Sequence, residues 1–244
     1  MRMTRQTAIK FWALMLAGTG FLAAPLAQAG AEFPASSQVE FNHLPTDFVA
    51  SLPSWRHAGL SGSAQTLVQW ILRQNDHHNK PFAVVDKIHA KVFVFSHQGR
   101  LLGQAPVLLG LTRGDDGAQG LGELPLSQIR PEDRVTPAGR FVSEWGRNAS
   151  GQMVLWVDYE QAISMHAVRS LNSQERRLER LASPAAQDKR ISFGCINVSQ
   201  LFWRSVVLST FKGNQHMVYV LPDSKTLGSV FPGLALAHET AAAD

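Results

Sequence analysis

Apolar and polar residues change rhythm several times along the chain, and each change marks an element. Over residues 63–79 (SAQTLVQWILRQNDHHN), Leu67, Trp70 and Ile71 recur at three and four, with Val68 and Leu72 beside them. That spacing predicts a helix with Ser63 as its N-cap, closed by Pro81. From Phe82 the period falls to two. AKVFVFSHQGRLLGQAPVLLG predicts a strand, a turn at 97–100 and a second strand. LTRGDDGAQGLGELP is too rich in glycine to be the interior of an element and predicts a loop at the rim of a groove. RPEDRVTPAGRFVSEW predicts a turn leading into a short strand. MVLWVDY and AISMHAVR, with their aromatic and β-branched residues, predict two more strands on a tight link. SLNSQERRLERLASP predicts a short, largely solvated helix inserted between strands. VSQLFWRSVVLSTFKG predicts a helix over 198–212 with Gly213 at its C-cap. HMVYVLPD, residues 216–223, predicts the last strand. The pattern as a whole predicts a mainly β domain with a few helices.

The N-terminus changes the picture. Arg2, Arg5 and Lys10 precede a long apolar run, which ends in AQA, Ala27 to Ala29, a small-x-small cleavage pattern. Residues 1–29 therefore read as a secretory signal peptide, and the expected location is the periplasm or another extracytoplasmic space. No later run is long enough to span a bilayer, so no stable membrane insertion is expected after cleavage. The formal charge of +4 owes three basic residues to that leader; beyond it stand 20 basic against 19 acidic residues. Such a balance does not provide the basic field of a nucleic-acid binder. The remaining 215 residues suffice for one good core. Residues 30–80 read as a linker and helix packed on the main domain, 81–223 as that domain, and 224–244 as a tail.

The single cysteine, Cys195, stands in RISFGCIN. An exported chain with one thiol has no internal disulfide. Two readings of Cys195 stand: a small buried hydrophobe, or a nucleophile on a tight turn. Gly194 lets the backbone approach closely there. A helix predicted to begin one to three residues later would lower the thiol pKa through its dipole and offer amides to a developing oxyanion. A nucleophile also needs a base within reach. Of nine histidines, His166 is singled out by its place in the otherwise apolar strand ISMHAVR; a satisfied core histidine is the other reading. The pair His77 and His78 lacks a third ligand at metal-binding spacing, and the Gly/Asp loop lacks the EF-hand pattern. No metal and no cofactor are expected.

VTPAGRF, then MHAV, then SFGCINVS resemble, in that order, the landmarks of the L,D-transpeptidase (YkuD-like) catalytic domain, over roughly residues 82–223. The resemblance implies a curved β-sandwich. It implies Cys195 as acyl-accepting nucleophile, His166 as base, the carbonyl of Ala167 orienting that base, and Gly194 as the motif glycine. It also implies Ser192, Phe193 and Asn197 around the substrate pocket, with Thr136, Pro137 and Gly139 as a structural turn. Arg169 and Arg190 are candidates for the carboxylates of a substrate, since arginine binds them bidentately. The implied reaction is acyl transfer on peptidoglycan stem peptides through a thioester, resolved by an amine of another stem or of a lysine-bearing protein. With water as acceptor the same site is an L,D-carboxypeptidase or crosslink hydrolase. A third alternative is a catalytically degenerate binder of cell-wall peptide. Two departures bear on the choice. Phe193 stands where the family has histidine, leaving a more apolar wall that favours the neutral thiol. And 28 residues separate His166 from Cys195, a spacing lengthened by NSQERRLERLASP, although long loops cost little closure entropy.

Overall fold

The computed structural model describes residues 58–118 and 120–234. The expected signal peptide, the irregular stretch as far as 57 and the tail from 235 lie outside the described residues. Within them the chain is mainly β. The strands are β1 (Phe82–Asp86), β2 (Lys91–Phe95), β3 (Leu101–Pro106), β4 (Leu109–Gly110), β5 (Gly139–Arg147), β6 (Met153–Asp158), β7 (Ile163–Ala167), β8 (Arg190–Ser192), β9 (Ile196–Val198) and β10 (His216–Val220). Eight form one sheet in the order β3-β2-β1-β10-β5-β6-β7-β9, and β4 pairs with β8 apart from it. In the large sheet β1/β10 and β7/β9 run parallel, and the other neighbours antiparallel.

The sheet curls. Val92 and Val94 of β2, near one edge, share a buried cluster with Met165 of β7 and Ile196 and Val198 of β9, at the other. The residues just after β3 then reach β9: Leu108 and Asn197 exchange two backbone hydrogen bonds, each 2.9 Å. The curved, sandwich-like architecture thus encloses a core between its own two ends. The other face of the central strands is covered by helix α1 (Gly62–Gln74), whose Leu67, Val68, Trp70 and Ile71 pack with Phe82, Val84, Phe95 and Tyr219. Covered on both faces, β1 and β10 are buried at every position. For that reason β1 is an apolar run and not the period-two alternation expected from Phe82 onward.

Three boundaries differ from expectation for identifiable reasons. The N-cap of helix α1 falls two residues early because the Ser61 hydroxyl, not that of Ser63, accepts from the amide of Ala64 at 3.2 Å. The helix stops at Gln74, short of 79, because Asn75 takes a left-handed conformation with φ +51° and its amide closes the last turn. Helix α3 starts at Gln200, not 198, since Val198 belongs to β9 and Ser199 is the cap. It runs Gln200–Phe202, widens to a π turn over Trp203–Val207, and ends with Leu208–Thr210, before Gly213. The inserted stretch forms a 3-10 turn, Ser173–Glu175, and a short helix α2, Arg177–Ala182. Leu181 of α2 is buried and Leu178 exposed.

The Gly/Asp loop after β4 is anchored at its base by a buried ion cluster. The Lys87 ammonium donates to the carbonyls of Gly114 and Thr136 and pairs with Asp115 at 2.9 Å and Asp223 at 3.4 Å. Asp115 also accepts from the amides of Asp223, Ser224 and Lys225. Its carboxylate is therefore engaged by the protein's own donors, which is the opposite of a waiting calcium ligand. Farther along, Gly122 lies where a Cβ would come 2.6 Å from the carbonyl of Glu160, so the loop packs closely on the β6–β7 turn.

Candidate active site

Strand pairing builds the site. In the parallel pair β7/β9, Met165 sits opposite Ile196 and His166 opposite Asn197. Cys195 immediately precedes β9, so it falls level with Ser164, two residues before His166 on the same face of β7. The register sets thiol and imidazole on one face of neighbouring strands, two positions apart along the ladder. The 28 intervening residues form an arm that leaves β7 and returns as β8 and β9, so the insertion sets no distance between the two groups.

A lattice of hydrogen bonds holds the turn that carries Cys195. The Ser192 hydroxyl donates to the carbonyl of Cys195 at 2.6 Å and accepts from the amide of Gly194 at 3.1 Å. The Thr136 hydroxyl donates to the Gly194 carbonyl at 2.7 Å and accepts from the amide of Gly110 at 2.9 Å. The TPAG turn thus acts as a latch on the turn that carries Cys195. Gly194 has φ +123°, and a Cβ there would lie 2.5 Å from Ile163 Cδ1 and 2.7 Å from the Val135 carbonyl. Gly194→Ala is accordingly expected to destabilise the fold by about 2–5 kcal/mol, measured by urea unfolding.

The thiol is half-buried. Its sulfur lies 3.6 Å from the Ser164 hydroxyl and 3.6 Å from the carbonyl of Ala162, a residue held at φ +55° in the β6–β7 turn. His166 donates from Nδ1 to the carbonyl of Ala167 at 2.9 Å. A carbonyl only accepts, so the Nδ1 proton is fixed and Nε2 is left with its lone pair. Burial alone would push the Cys195 thiol up, but hydrogen bonding to His166, that residue's charge, and the Ser164 amide and hydroxyl outweigh it and draw the thiol below its ordinary value. Burial would push His166 down, but its bond to Cys195, the thiolate's charge and the Ala167 carbonyl raise it above the usual histidine range. The two shifts are one fact seen from both partners: each group's charged form is stabilised by the other, which eases proton transfer from sulfur to imidazole. This arrangement equips the site for nucleophilic chemistry at sulfur.

The other expected site residues separate. Ala167 accepts the Nδ1 hydrogen bond of His166 through its carbonyl. Ser192 is buried with its hydroxyl fully occupied, so it shapes the turn and does not face a pocket. Asn197 is wholly buried and likewise has no open face. Its Nδ2 donates to His166 Nε2 at 3.0 Å, and its Oδ1 accepts from Arg177 at 2.8 Å. Arg190 is not available for a substrate: its guanidinium is buried, bonded to Asp223 at 2.6 Å and to the carbonyl of Lys87 at 3.0 Å. Arg169 is half-buried and donates to Gln152 at 2.8 Å. Phe193 is half-buried, and the Arg134 guanidinium lies 4.1 Å above its ring centroid. The wall beside the thiol therefore carries a cation and is less apolar than the phenylalanine alone implies. The helix dipole does not act on Cys195, because β9 separates the thiol from α3. The hydrogen bonds of His166 and Ser164 take its place.

Three contributors escape the sequence reading. Ser164 is detectable in hindsight by its period-two spacing from His166. Arg134 and Arg177 carry no local signal, since both reach the site across tertiary contacts.

No protein-family model matches the chain, and no curated protein matches it. Solved structures do. The helical cell shape determining protein Pgp2 of Campylobacter jejuni is similar at 12% identity and a TM-score of 0.39, over 75% of this chain and 65% of its own. An Enterococcus faecium L,D-transpeptidase is similar at 13% identity and a TM-score of 0.36, over 58% of this chain and 50% of its own. An L,D-transpeptidase from Mycobacterium smegmatis is similar at 16% identity and a TM-score of 0.34, over 58% of each chain. The chain spans about half the length of the Enterococcus structure it matches. At these identities and TM-scores the likeness carries no argument about chemistry, which rests on the residues.

Proposed function

We propose that the protein is an exported cysteine acyl-transferase that acts on peptidoglycan stem peptides through a thioester on Cys195. One observation carries the reading: parallel pairing of β7 with β9 brings His166 and Cys195 onto one face of neighbouring strands, with the imidazole tethered through Nδ1 to the Ala167 carbonyl. The order of TPAGRF, MHAV and FGCIN along the chain supplies the substrate class.

The steps follow from the tautomer. His166 Nε2 takes the thiol proton, and the thiolate attacks the carbonyl of an L-to-D peptide bond. The imidazolium returns that proton to the leaving amine of the terminal D-residue as the C–N bond breaks. A thioester remains on Cys195. An incoming amine, from a second stem or a lysine-bearing protein, gives up a proton to His166 and takes the acyl group, restoring the thiol. Water in the amine's place gives a carboxypeptidase or crosslink hydrolase. The alternative of a degenerate peptide binder is disfavoured by the geometry, since a mere binding site has no need of a tethered base beside a lowered thiol.

The test is product analysis with purified muropeptides. Release of the terminal D-residue together with new crosslinks or exchanged D-amino acids is expected, and Cys195→Ala is expected to abolish it. Shortened stems without crosslinks assign water as acceptor. Intact stems, or activity that survives Cys195→Ala, overturn the reading.

A further inference from the structure

The inserted arm reaches the site through one residue. Arg177, at the start of α2, is held from one side by Glu175, 2.5 Å from its Nε, and its side chain is 14% exposed. From the other side it donates to Oδ1 of Asn197, which is 0% exposed. An arginine side chain only donates, so the atom of the Asn197 amide facing it must be the oxygen. That choice leaves the NH2 on the His166 side, 3.0 Å from Nε2.

A conflict follows. With Nδ1–H given to Ala167, Nε2 offers one lone pair. The NH2 of Asn197 already occupies it, so a proton arriving from Cys195, on the same face of the β7/β9 ladder, must displace that bond. Once Nε2 has taken the thiol proton, its N–H confronts the Asn197 NH2, donor against donor. A free amide would relieve this by turning over. Arg177 prevents the turn, because its own N–H would then meet the NH2. The backbone of Asn197 cannot move away either, being held in β9 and bonded both ways to Leu108.

We propose that Arg177 is a positioning residue by which the inserted arm restrains proton transfer from Cys195 to His166, acting through the fixed amide of Asn197. The arm is then a built-in brake, released when Arg177 withdraws. The inference rests on the acyl-transfer reading for its purpose, but its test reads only the thiol. The charged and titratable groups on the elements packed about the ring are Cys195 on the turn before β9, and Arg177 with its partner Glu175 on the arm; Arg169, three residues along the chain, is bonded to Gln152.

The experiment is the pH profile of Cys195 alkylation by iodoacetamide in the full folded chain. Arg177→Met is expected to react roughly tenfold faster than wild type at pH 6, with the acid limb displaced downward by about one pH unit. Arg177→Lys, which keeps a donor and a charge, is expected to stay near the wild-type profile. Asn197→Ala alone removes the competing NH2 and is expected to shift the profile in the same direction, with Arg177→Met adding nothing in that background. An unchanged or slowed profile in Arg177→Met overturns the proposal. So does an equal further shift in the Asn197→Ala background, which would mean that the charge of Arg177 acts at a distance and not through the amide. Failure of muropeptide turnover would leave these outcomes untouched, so the two readings fall separately.

Discussion

His166→Gln is expected to lower turnover of stem peptides by about 10²–10⁴-fold while leaving the fold intact. Glutamine fills a similar volume and can still donate to the Ala167 carbonyl, so the strand pairing is preserved. It cannot take a proton. The thiol would then keep the burial that pushes it up and lose the imidazole that draws it down. Alkylation of Cys195 is therefore expected to move to higher pH, opposite in sign to the shift expected of Arg177→Met. Measuring both variants on one pH axis brackets the wild type. Turnover retained in His166→Gln would remove the imidazole from the mechanism.

The largest expected effect on stability lies away from the thiol. Lys87→Met removes the one fully buried ammonium of the cluster that joins Asp115 and Asp223, leaving carboxylates desolvated without their partner. Breaking one side of such a pair costs about 3–5 kcal/mol. Urea unfolding should show the loss as a fall in midpoint at constant slope, and an unchanged midpoint would contradict the account. The cluster also predicts a pH dependence. Burial by itself would push Asp115 up, but the amides of Asp223 and Lys225, the Lys87 ammonium and the amide of Ser224 hold its carboxyl far below the usual range. A lowered folded-state pKa contributes stability that is complete above the ordinary carboxylate range near ~4 and is lost progressively as the pH falls below it. Wild type should lose stability there, and the Asp115→Asn variant should lose less over the same interval. Since Lys87 also holds the carbonyl of Thr136, whose hydroxyl latches Gly194, Lys87→Met should loosen the nucleophile turn as well.

Much of this architecture was legible before any coordinates. The hairpin β6–β7 is announced by aromatic and β-branched residues, and the resemblance of three short motifs singles out Cys195 and His166, which the β7/β9 register sets on one face. The errors share one cause: they concern what a side chain meets across the fold. An arginine at position 190 and one at position 177 look alike in a sequence. Tertiary structure commits the first to Asp223 and brings the second to Asn197. Likewise Asn197 and Ser192 are polar residues in the SFGCIN stretch, and only their buried hydrogen bonds reveal that they brace the turn and the imidazole. The helix-dipole expectation failed by a single element, because three residues of apolar sequence after Cys195 served as a strand and not as the first turn of α3.

The parallel zipper between β7 and β9 has a last consequence, for the newly made chain. Sulfur and imidazole come from segments about thirty positions apart and meet only when the final rungs close in the right order. A slip by one rung would flip one partner to the opposite side of the sheet. Until that closure the thiol lacks the imidazole that draws it below an ordinary cysteine, so this environment exists only in the completed fold.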